Sequence, residues 1–427
     1  MKFKNDNTFA KELDDLDQLK HYREKFYIPK NKNGEDVIYL AGNSLGLQPK
    51  SVRDYVEQEI LDWERIALAG HTEAKNPWLP YHEFLTEQTA RLVGAKTDEV
   101  VNMNSLTTNL HLLFVSFYRP TKQRHKILIE ANAFPSDHYA VQSQIKFHGY
   151  DVENSLIEMK PREGEDTIRT DDIEAMIEKD GDSIALVWFA GVNYYSGQAF
   201  DFERLVKAGH KKNIIVGFDL AHAVGNLELK LHDWNVDFAV WCNYKYMNGG
   251  PGAIGGAYVH DNLLPARTGG NDDSIPKFLG WWGHDKQTRF LMDHKYIPIP
   301  TVESWQLSNP PILQLASLKA SLDIFDEVGM KALREKSEKL TDYLEFLIIE
   351  SKNNKIKIIT PSDKNERGCQ LSLRIKSNGK DLYKKLMESG VVCDWREPDV
   401  IRVAPVPLYN TFEDVYNFSK ILFSENV

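Results

Sequence analysis

Cysteine is scarce in this sequence: 427 residues hold three, Cys242, Cys369 and Cys393. Three cannot all pair with one another, and no CxxC or Cys/His ligand spacing occurs, so neither a disulfide scaffold nor a metal site is expected. A reducing, cytoplasmic setting is the simpler expectation. Long apolar runs are also missing. No stretch reaches the roughly 18 apolar residues of a membrane-spanning helix, and the N-terminal MKFKNDNTFAKELDDLDQLK has no apolar core like that of a secretory signal. There is no basic excess either: 52 Lys+Arg stand against 62 Asp+Glu, a net charge of −10. Without a basic block, neither nucleic acid nor an anionic membrane surface is an expected partner. Phosphate could be bound only by a small, placed site.

What is present describes a folded chain. Hydrophobic residues make up 42% and charged residues 27%, which argues against disorder. The length predicts two or three domains, or a large one with a satellite, at roughly 100–200 residues each. The first 30 residues read as a charged helix with Phe9, Leu13, Leu16 and Leu19 on one stripe. KILIEA (126–131), SIALVWFAGV (183–192), IIVGFDLA (214–221) and DFAVWCN (237–243) are continuous apolar runs separated by helical segments. Such runs mean strands covered on both faces, hence a mostly parallel sheet in an α/β fold. AIGGAYV (253–259) reads as one more strand, which can run antiparallel. Residues 265–311, with ARTGGN, FLGWWGH and SNPP, read as an ordered, aromatic-rich loop. A long helix then follows, split at Gly329. The strand-like KIKIIT, CQLSLRIK and VIRVAP and a helix at 380–389 complete a small α+β region. The expected division is an N-terminal helix and arm (1–50), a large α/β domain (51–311) and a small C-terminal α+β domain (312–427).

The most informative stretch is GFDLAHAVGN (217–226) followed by WCNYKYMNGGPGA (241–253). Asp219 ends one strand, His222 follows three residues later, and Lys245 comes just after the next strand. Ligands of open α/β sheets bind at the carboxyl ends of strands, so Asp219 and Lys245 converge on one crevice. A lysine that can form a Schiff base, beside an aspartate that can pair with a protonated pyridine nitrogen, is what pyridoxal phosphate requires. Either residue alone would be an ordinary surface lysine or a helix-capping aspartate. Together, with a Gly-rich loop after the lysine, they point to the cofactor.

The wider pattern resembles the kynureninases, fold type I pyridoxal-phosphate enzymes of the aminotransferase class V superfamily. It is carried, in order, by LAGNSLGLQPK, GHTEAKNPW, NSLTTNLHLL, FPSDHYAVQSQ, YYSGQ, GFDLAHAVGN, CNYKYMNGGPGA, GWWGH, SNPP, RGCQLSL and RVAPVPLYN. The resemblance implies a seven-stranded, mostly parallel sheet in a large cofactor-binding domain with a smaller α+β domain. It implies Lys245 as the Schiff-base lysine, Asp219 as the ring-nitrogen partner and Tyr244 as a phosphate donor and acid/base. Phe134 would stack on the ring, with Pro135, Ser136 and Asp137 beside it. Leu106 and Thr107 would sit at the phosphate, where a helix N-terminus favours an anion. His222 would lie near the phosphate or the ring hydroxyl. Ala190 stands where some relatives have a serine touching the cofactor, which removes a hydroxyl. Trp281 and Asn309 would reach the site across a dimer interface, whereas Trp282 reads as packing. Taken singly, Phe134 reads as core, Thr107 and Thr108 as helix caps, and His222 as a structural histidine; their place in the ordered pattern gives them these roles.

On the substrate side the resemblance implies Arg402 as the clamp for an amino acid carboxylate, which its rigid fork matches. Ser44, His71, Ser308 and Asn309 would line the rest of the pocket. The implied reaction is hydrolysis of L-kynurenine or 3-hydroxy-L-kynurenine to anthranilate or 3-hydroxyanthranilate and L-alanine, in tryptophan catabolism, by a homodimer. The polar set His71, Ser308 and Asn309 resembles that of kynureninases favouring the 3-hydroxy substrate. The rival within the same fold is a cysteine desulfurase or selenocysteine lyase with Cys369 as nucleophile. Cys369 opens an alternating strand, though, and a persulfide-forming thiol belongs on a flexible loop. A non-catalytic binding protein of this fold would have no need of Lys245, Asp219, Tyr244 and Arg402.

Overall fold

The structure is a computed structural model and describes residues 2–265 and 275–424. The ARTGGN stretch of the aromatic-rich segment lies outside the described residues. In chain order the strands are β1 (Ile38–Tyr39), β2 (Val100–Asn102), β3 (Lys126–Glu130), β4 (Leu156–Met159), β5 (Ile184–Ala190), β6 (Ile215–Asp219), β7 (Phe238–Cys242) and β8 (Gly255–Val259). In the C-terminal part they are β9 (Ile356–Ile358), β10 (Leu371–Ile375), β11 (Val391–Val392), β12 (Asp394–Arg396) and β13 (Val400–Val403).

Strands β2 to β8 form one seven-stranded sheet in the order β2-β8-β7-β6-β5-β3-β4. β3 to β7 run parallel, while β8 is antiparallel to both β7 and β2. This is the α/β architecture that the apolar runs predict, including the reversed direction of AIGGAYV. The alternation of side chains along each strand feeds two cores. Val187, Phe189, Val216 and Phe218 pack on one face of the sheet, and Leu186, Trp188, Phe238 and Val240 on the other. Because both faces are covered by helices, the strands need no polar side.

A second, four-stranded antiparallel sheet, ordered β12-β13-β10-β9, lies in the C-terminal part. Its core is shared with the N-terminus: Phe9, Leu13 and Leu40 pack with Leu371, Leu373, Ile401 and Val403. β1 also pairs in parallel with β11, Ile38 opposite Val391. The predicted split of the long helix is observed, Ile312–Val328 and Met330–Glu350, with Gly329 at φ 76° between them. The first helix packs into the large-sheet core through Leu315, Leu318 and Phe325.

Two expectations are corrected. The opening segment is not one helix: it runs over Asn7–Leu16 and is followed by a separate 3₁₀ turn, Lys20–Lys25. Asp14, Asp15 and Asp17 crowd the carboxyl end of the first helix, where negative charge opposes the helix dipole. Asp17 leaves helical geometry and accepts from the Leu19 N–H instead. Leu16 is consequently 74% exposed, although Phe9 and Leu13 are buried as the stripe predicts. The described part of the aromatic-rich segment, 275–311, is ordered, and it is built on 3₁₀ turns at Trp281–Gly283, Arg289–Leu291 and Val302–Trp305 rather than on irregular chain alone.

Candidate active site

The carboxyl ends of β3, β5, β6 and β7 lie along one edge of the sheet, and Glu130, Ala190, Asp219 and Cys242 stand on it. Lys245 lies in the turn after β7. That turn is fastened by Asn243, whose side chain donates to the Ile254 carbonyl at 2.8 Å and accepts from the Trp241 indole at 3.1 Å. The N-terminal GNSLG turn docks on it, with the Gly46 N–H donating to the Tyr244 carbonyl at 2.8 Å. A Cβ at Gly46 would stand 2.3 Å from the Lys245 carbonyl oxygen, so only glycine allows this contact. The same turn carries Ser44, which is half-buried.

Lys245 Nζ lies 3.0 Å from His222 Nε2. Burial, together with the charges of Lys245, Arg402 and Arg396, pushes the His222 pKa well below its usual range. The ring is therefore neutral and Nε2 is the acceptor, which puts its proton on Nδ1, a buried atom without a partner. Lys245 Nζ also stands 5.9 Å from the centres of the Phe134 and Tyr244 rings. Phe134 is 45% exposed, open over the lysine rather than sunk in the core. It precedes a helix, Pro135–Phe147, that begins with proline at its first turn.

Asp219 is buried, and its Oδ1 accepts from the Ala221 N–H at 2.7 Å. Asp137 and Glu130 are buried beside it. Burial raises all three carboxyls: Glu130 to about 8, Asp137 well above the carboxylate range, Asp219 upward against the pull of Lys245. Asp219 is the one that Lys245 stabilises as an anion, so it keeps the charge while its two neighbours hold protons. Burial also keeps the Tyr244 phenol protonated, aided by its contact with the Cys242 thiol.

Arg402, on β13, is buried and gripped from two sides. It donates to the Tyr194 carbonyl at 2.8 Å and to Asp394 Oδ2 at 2.7 Å. Its Nε is buried without a partner. Sequence reasoning missed the frame around it: Asn43 donates to Gln370 at 3.0 Å, and Gln370 donates to the Tyr194 carbonyl at 3.1 Å. Both lie inside motifs that stood out, GNSLG and CQLSL, so the signal was there.

The structure brings together Lys245, Asp219, His222, Tyr244, Phe134, Asp137 and the Ala190 strand end. Thr107 and Ser136 meet hydroxyl to hydroxyl at 3.0 Å. Leu106 and Thr107 open the helix Leu106–Phe117, whose N-cap Ser105 makes no side-chain cap bond, leaving its first N–H groups for an anion. Four other expected residues are His71, Trp281, Ser308 and Asn309. Among the described residues none of these four bonds or ion-pairs with Lys245, Asp219 or His222. His71 stands edge-on to Trp78, Trp281 donates to the Arg289 carbonyl, and Ser308 and Asn309 line a cleft of about 340 Å³ with Asn104 and Ser105, at the N-cap of the Leu106 helix. Trp282 is buried packing, as expected.

These residues fit pyridoxal phosphate. Asp219 is a buried carboxyl that Lys245 favours as an anion, and a protonated ring nitrogen would add to that counter-charge. The uncapped helix start and two hydroxyls suit a phosphate. The orphaned His222 Nδ1 and Asp137 Oδ1 await polar atoms. Fold and site together define a fold type I pyridoxal-phosphate enzyme. Solved structures agree on the fold: the Escherichia coli cysteine desulfurase CsdA superposes with a TM-score of 0.75 at 15% identity, over 94% of this chain and 96% of that one. The apo cysteine desulfurase of Thermococcus onnurineus NA1 gives 0.74 at 18%, over 90% and 93%. Sequence relatives are far closer. The chain is 55% identical to a kynureninase of Myxococcus xanthus over 98% of its own length and 97% of the relative's. It is 51% identical to the kynureninase of Homo sapiens over 98% and 93%. The kynureninase C-terminal domain matches residues 333–422. The chain belongs to the kynureninase family.

Cys369 bears on the rival reading. It is buried, its N–H bonds Asn226 at 2.9 Å, and burial pushes its thiol up to about 12. Such a thiol is not a nucleophile near neutral pH.

Proposed function

We propose that this chain cleaves the Cβ–Cγ bond of L-kynurenine hydrolytically, giving anthranilate and L-alanine, with pyridoxal phosphate as cofactor. The observation that carries the reading is the buried Asp219 answered by Lys245 in a chain 51–55% identical to kynureninases. When bound, the cofactor draws electrons from the α- and β-carbons of the amino acid. Asp219 would hold the ring nitrogen protonated. Lys245 would anchor the cofactor and, with its Nζ free, would be the base for the Cα proton. Its neutral partner His222 accepts a hydrogen bond without adding a charge. Arg402 orients the substrate carboxylate. Tyr244, kept protonated by burial, is the proton donor beside the breaking bond. Water adds its oxygen to the Cγ carbonyl, Cγ leaves as the anthranilate carboxylate, and Cβ takes a proton to become the methyl of alanine. Purified protein, pyridoxal phosphate and L-kynurenine, assayed for anthranilate and alanine, test this; no anthranilate from cofactor-loaded protein overturns it.

The reading includes a homodimer with shared sites. Trp281 is 43% exposed within a patch that also exposes Phe278, Leu279, Phe290 and Leu291. Apolar exposure on this scale is what a partner surface covers. A second copy would bring Trp281 and Asn309 to the opposite lysine. The three buried, free cysteines support a reducing, cytoplasmic setting.

Two outcomes follow for substrate binding. Arg402→Ala is expected to weaken amino acid substrates by about 1.5–3 kcal/mol, the worth of a hydrogen bond to a charged group. Asp394 also pairs with Arg396 at 2.8 Å, so the change does not leave that carboxylate alone. Inhibition by L-alanine checks it: an unchanged inhibition constant moves the clamp elsewhere. The second outcome concerns the ring end. Polar groups that meet a ring hydroxyl are left unpaired by the analogue lacking it, so such a pocket discriminates more sharply than an apolar one. With His71, Ser308 and Asn309 as that pocket, 3-hydroxykynurenine should equal or exceed kynurenine in kcat/KM. Competing the two substrates on the wild type and on His71→Trp with Asn309→Thr decides it. A clear wild-type preference for kynurenine that the double variant does not shift refutes the polar pocket.

A further inference from the structure

Beside Asp219 lies a carboxyl that none of the assigned roles uses. Glu130 ends β3 and is fully buried. Both of its oxygens accept from the Ala190 N–H, at 3.2 and 3.3 Å. Ala190 is the residue opposite Asp219 in the β5–β6 register. The next amide, Gly191 N–H, donates to the Asp219 carbonyl at 2.7 Å. Glu130 thus grips the backbone that holds Asp219, and it lies within charge–charge range of both Asp219 and Asp137.

This side chain is an unusual choice for a mere clamp. An amide would accept the same N–H without placing a second ionisable group next to a buried anion. The cost of burying such a group is large, and it is met here by its own and the Ala190 amide, by Asn193 and by holding a proton. The groups that face Glu130 are Asp219 from β6, Asp137 from the helix Pro135–Phe147, and the polar Asn193 from the turn after β5. Among these named groups no cation faces it; the nearest positive charge a ligand could add is a protonated ring nitrogen at Asp219.

We propose that Glu130 is a positioning residue for the ring end of the cofactor: it fixes the Ala190 strand end that carries Asp219, and its ionisation sets how strongly Asp219 holds a protonated ring nitrogen. This rests on the pyridoxal-phosphate reading above. The sign follows from electrostatics. Protonated, Glu130 is a neutral spacer. Ionised, it adds a negative charge beside Asp219, which favours the protonated ring. By linkage the ring in turn favours ionised Glu130, drawing its midpoint to no higher than about 8, the value it has without the ring.

The test titrates wild-type and Glu130→Gln holoenzymes loaded with pyridoxal phosphate, reading the absorbance of the bound cofactor and its dissociation constant across pH. The wild type is expected to show an absorbance step at or below about 8. Glu130→Gln keeps the Ala190 bond and the fold but loses the step. Below the step the two bind the cofactor equally; above it, Glu130→Gln binds about tenfold more weakly, the equivalent of one pKa unit of interaction. Glu130→Ala, which also removes the acceptor, loses thermal stability as well, so clamp and charge separate. A wild type that binds the cofactor and cleaves kynurenine but titrates like Glu130→Gln overturns the role of Glu130 and leaves the functional reading standing. Absence of the step in the wild type overturns it without any variant. A wild type that does not bind the cofactor overturns both.

Discussion

Lys245→Ala is expected to lose about 10⁴-fold or more in turnover, the upper end of what a placed general base contributes. The residue combines two tasks that no neighbour can assume. Its charge acts on the buried Asp219, and His222, at 3.0 Å, is a neutral ring whose pKa burial has pushed well below the range of a useful base. Tyr244 is held protonated and acts in the opposite sense. Cofactor binding should survive in non-covalent form, because Asp219, Phe134 and the Leu106 helix start are untouched. Small external amines should restore part of the activity, since Lys245 is only half-buried and Phe134 beside it is open to solvent. Multiple turnover by the unrescued variant would take Lys245 out of its role. Loss of cofactor binding along with activity would show that the lysine is chiefly an anchor.

Much of this site could be read in the chain because the strands that carry it are buried on both faces. IALVWFA and IVGFD have no polar side to confuse with a helix, so their ends, and hence Asp219, were visible. The position of Lys245 followed from the next such run. Glu130 was not legible for the same reason: a charged residue closing KILIE reads as a strand end meeting solvent, and only the neighbouring β5 shows that it is sealed in. Pairings between distant segments were equally hidden. β1 and β11 are two residues each and lie some 350 positions apart, so nothing local announces their union. The N-terminal helix was overextended because its apolar spacing continues past the point where Asp17 ends it. His71, Ser308 and Asn309 were placed in the pocket by resemblance alone. Among the described residues none of the three bonds Lys245, Asp219 or His222; His71 stands against Trp78, and Ser308 and Asn309 line a cleft with Ser105.

Asp219→Asn is expected to reduce turnover by between about 10²- and 10⁴-fold, the rate equivalent of the roughly 3–5 kcal/mol lost when one partner of a buried ion pair is removed. Shape is not the reason. The asparagine oxygen can still accept the Ala221 N–H that now bonds Oδ1 at 2.7 Å. The change is electrical: a neutral side chain gives a protonated ring nitrogen no counter-charge, and an unprotonated ring draws electrons poorly. Stability separates this from a folding defect. Burial raises the Asp219 pKa above its unfolded value, so the folded, cofactor-free protein binds more protons than the unfolded chain once pH rises past the unfolded value. Stability is therefore complete at low pH and falls as pH climbs toward the folded pKa. Asparagine abolishes that fall. Cofactor-free Asp219→Asn should melt at or above the wild-type temperature in neutral and mildly alkaline buffer, while the gain in melting temperature on adding pyridoxal phosphate shrinks. Thermal melts with and without cofactor, beside anthranilate assays, make the comparison. Full turnover, or an undiminished cofactor-induced shift, would mean that the ring nitrogen finds its charge partner elsewhere, with Asp137 the nearest candidate.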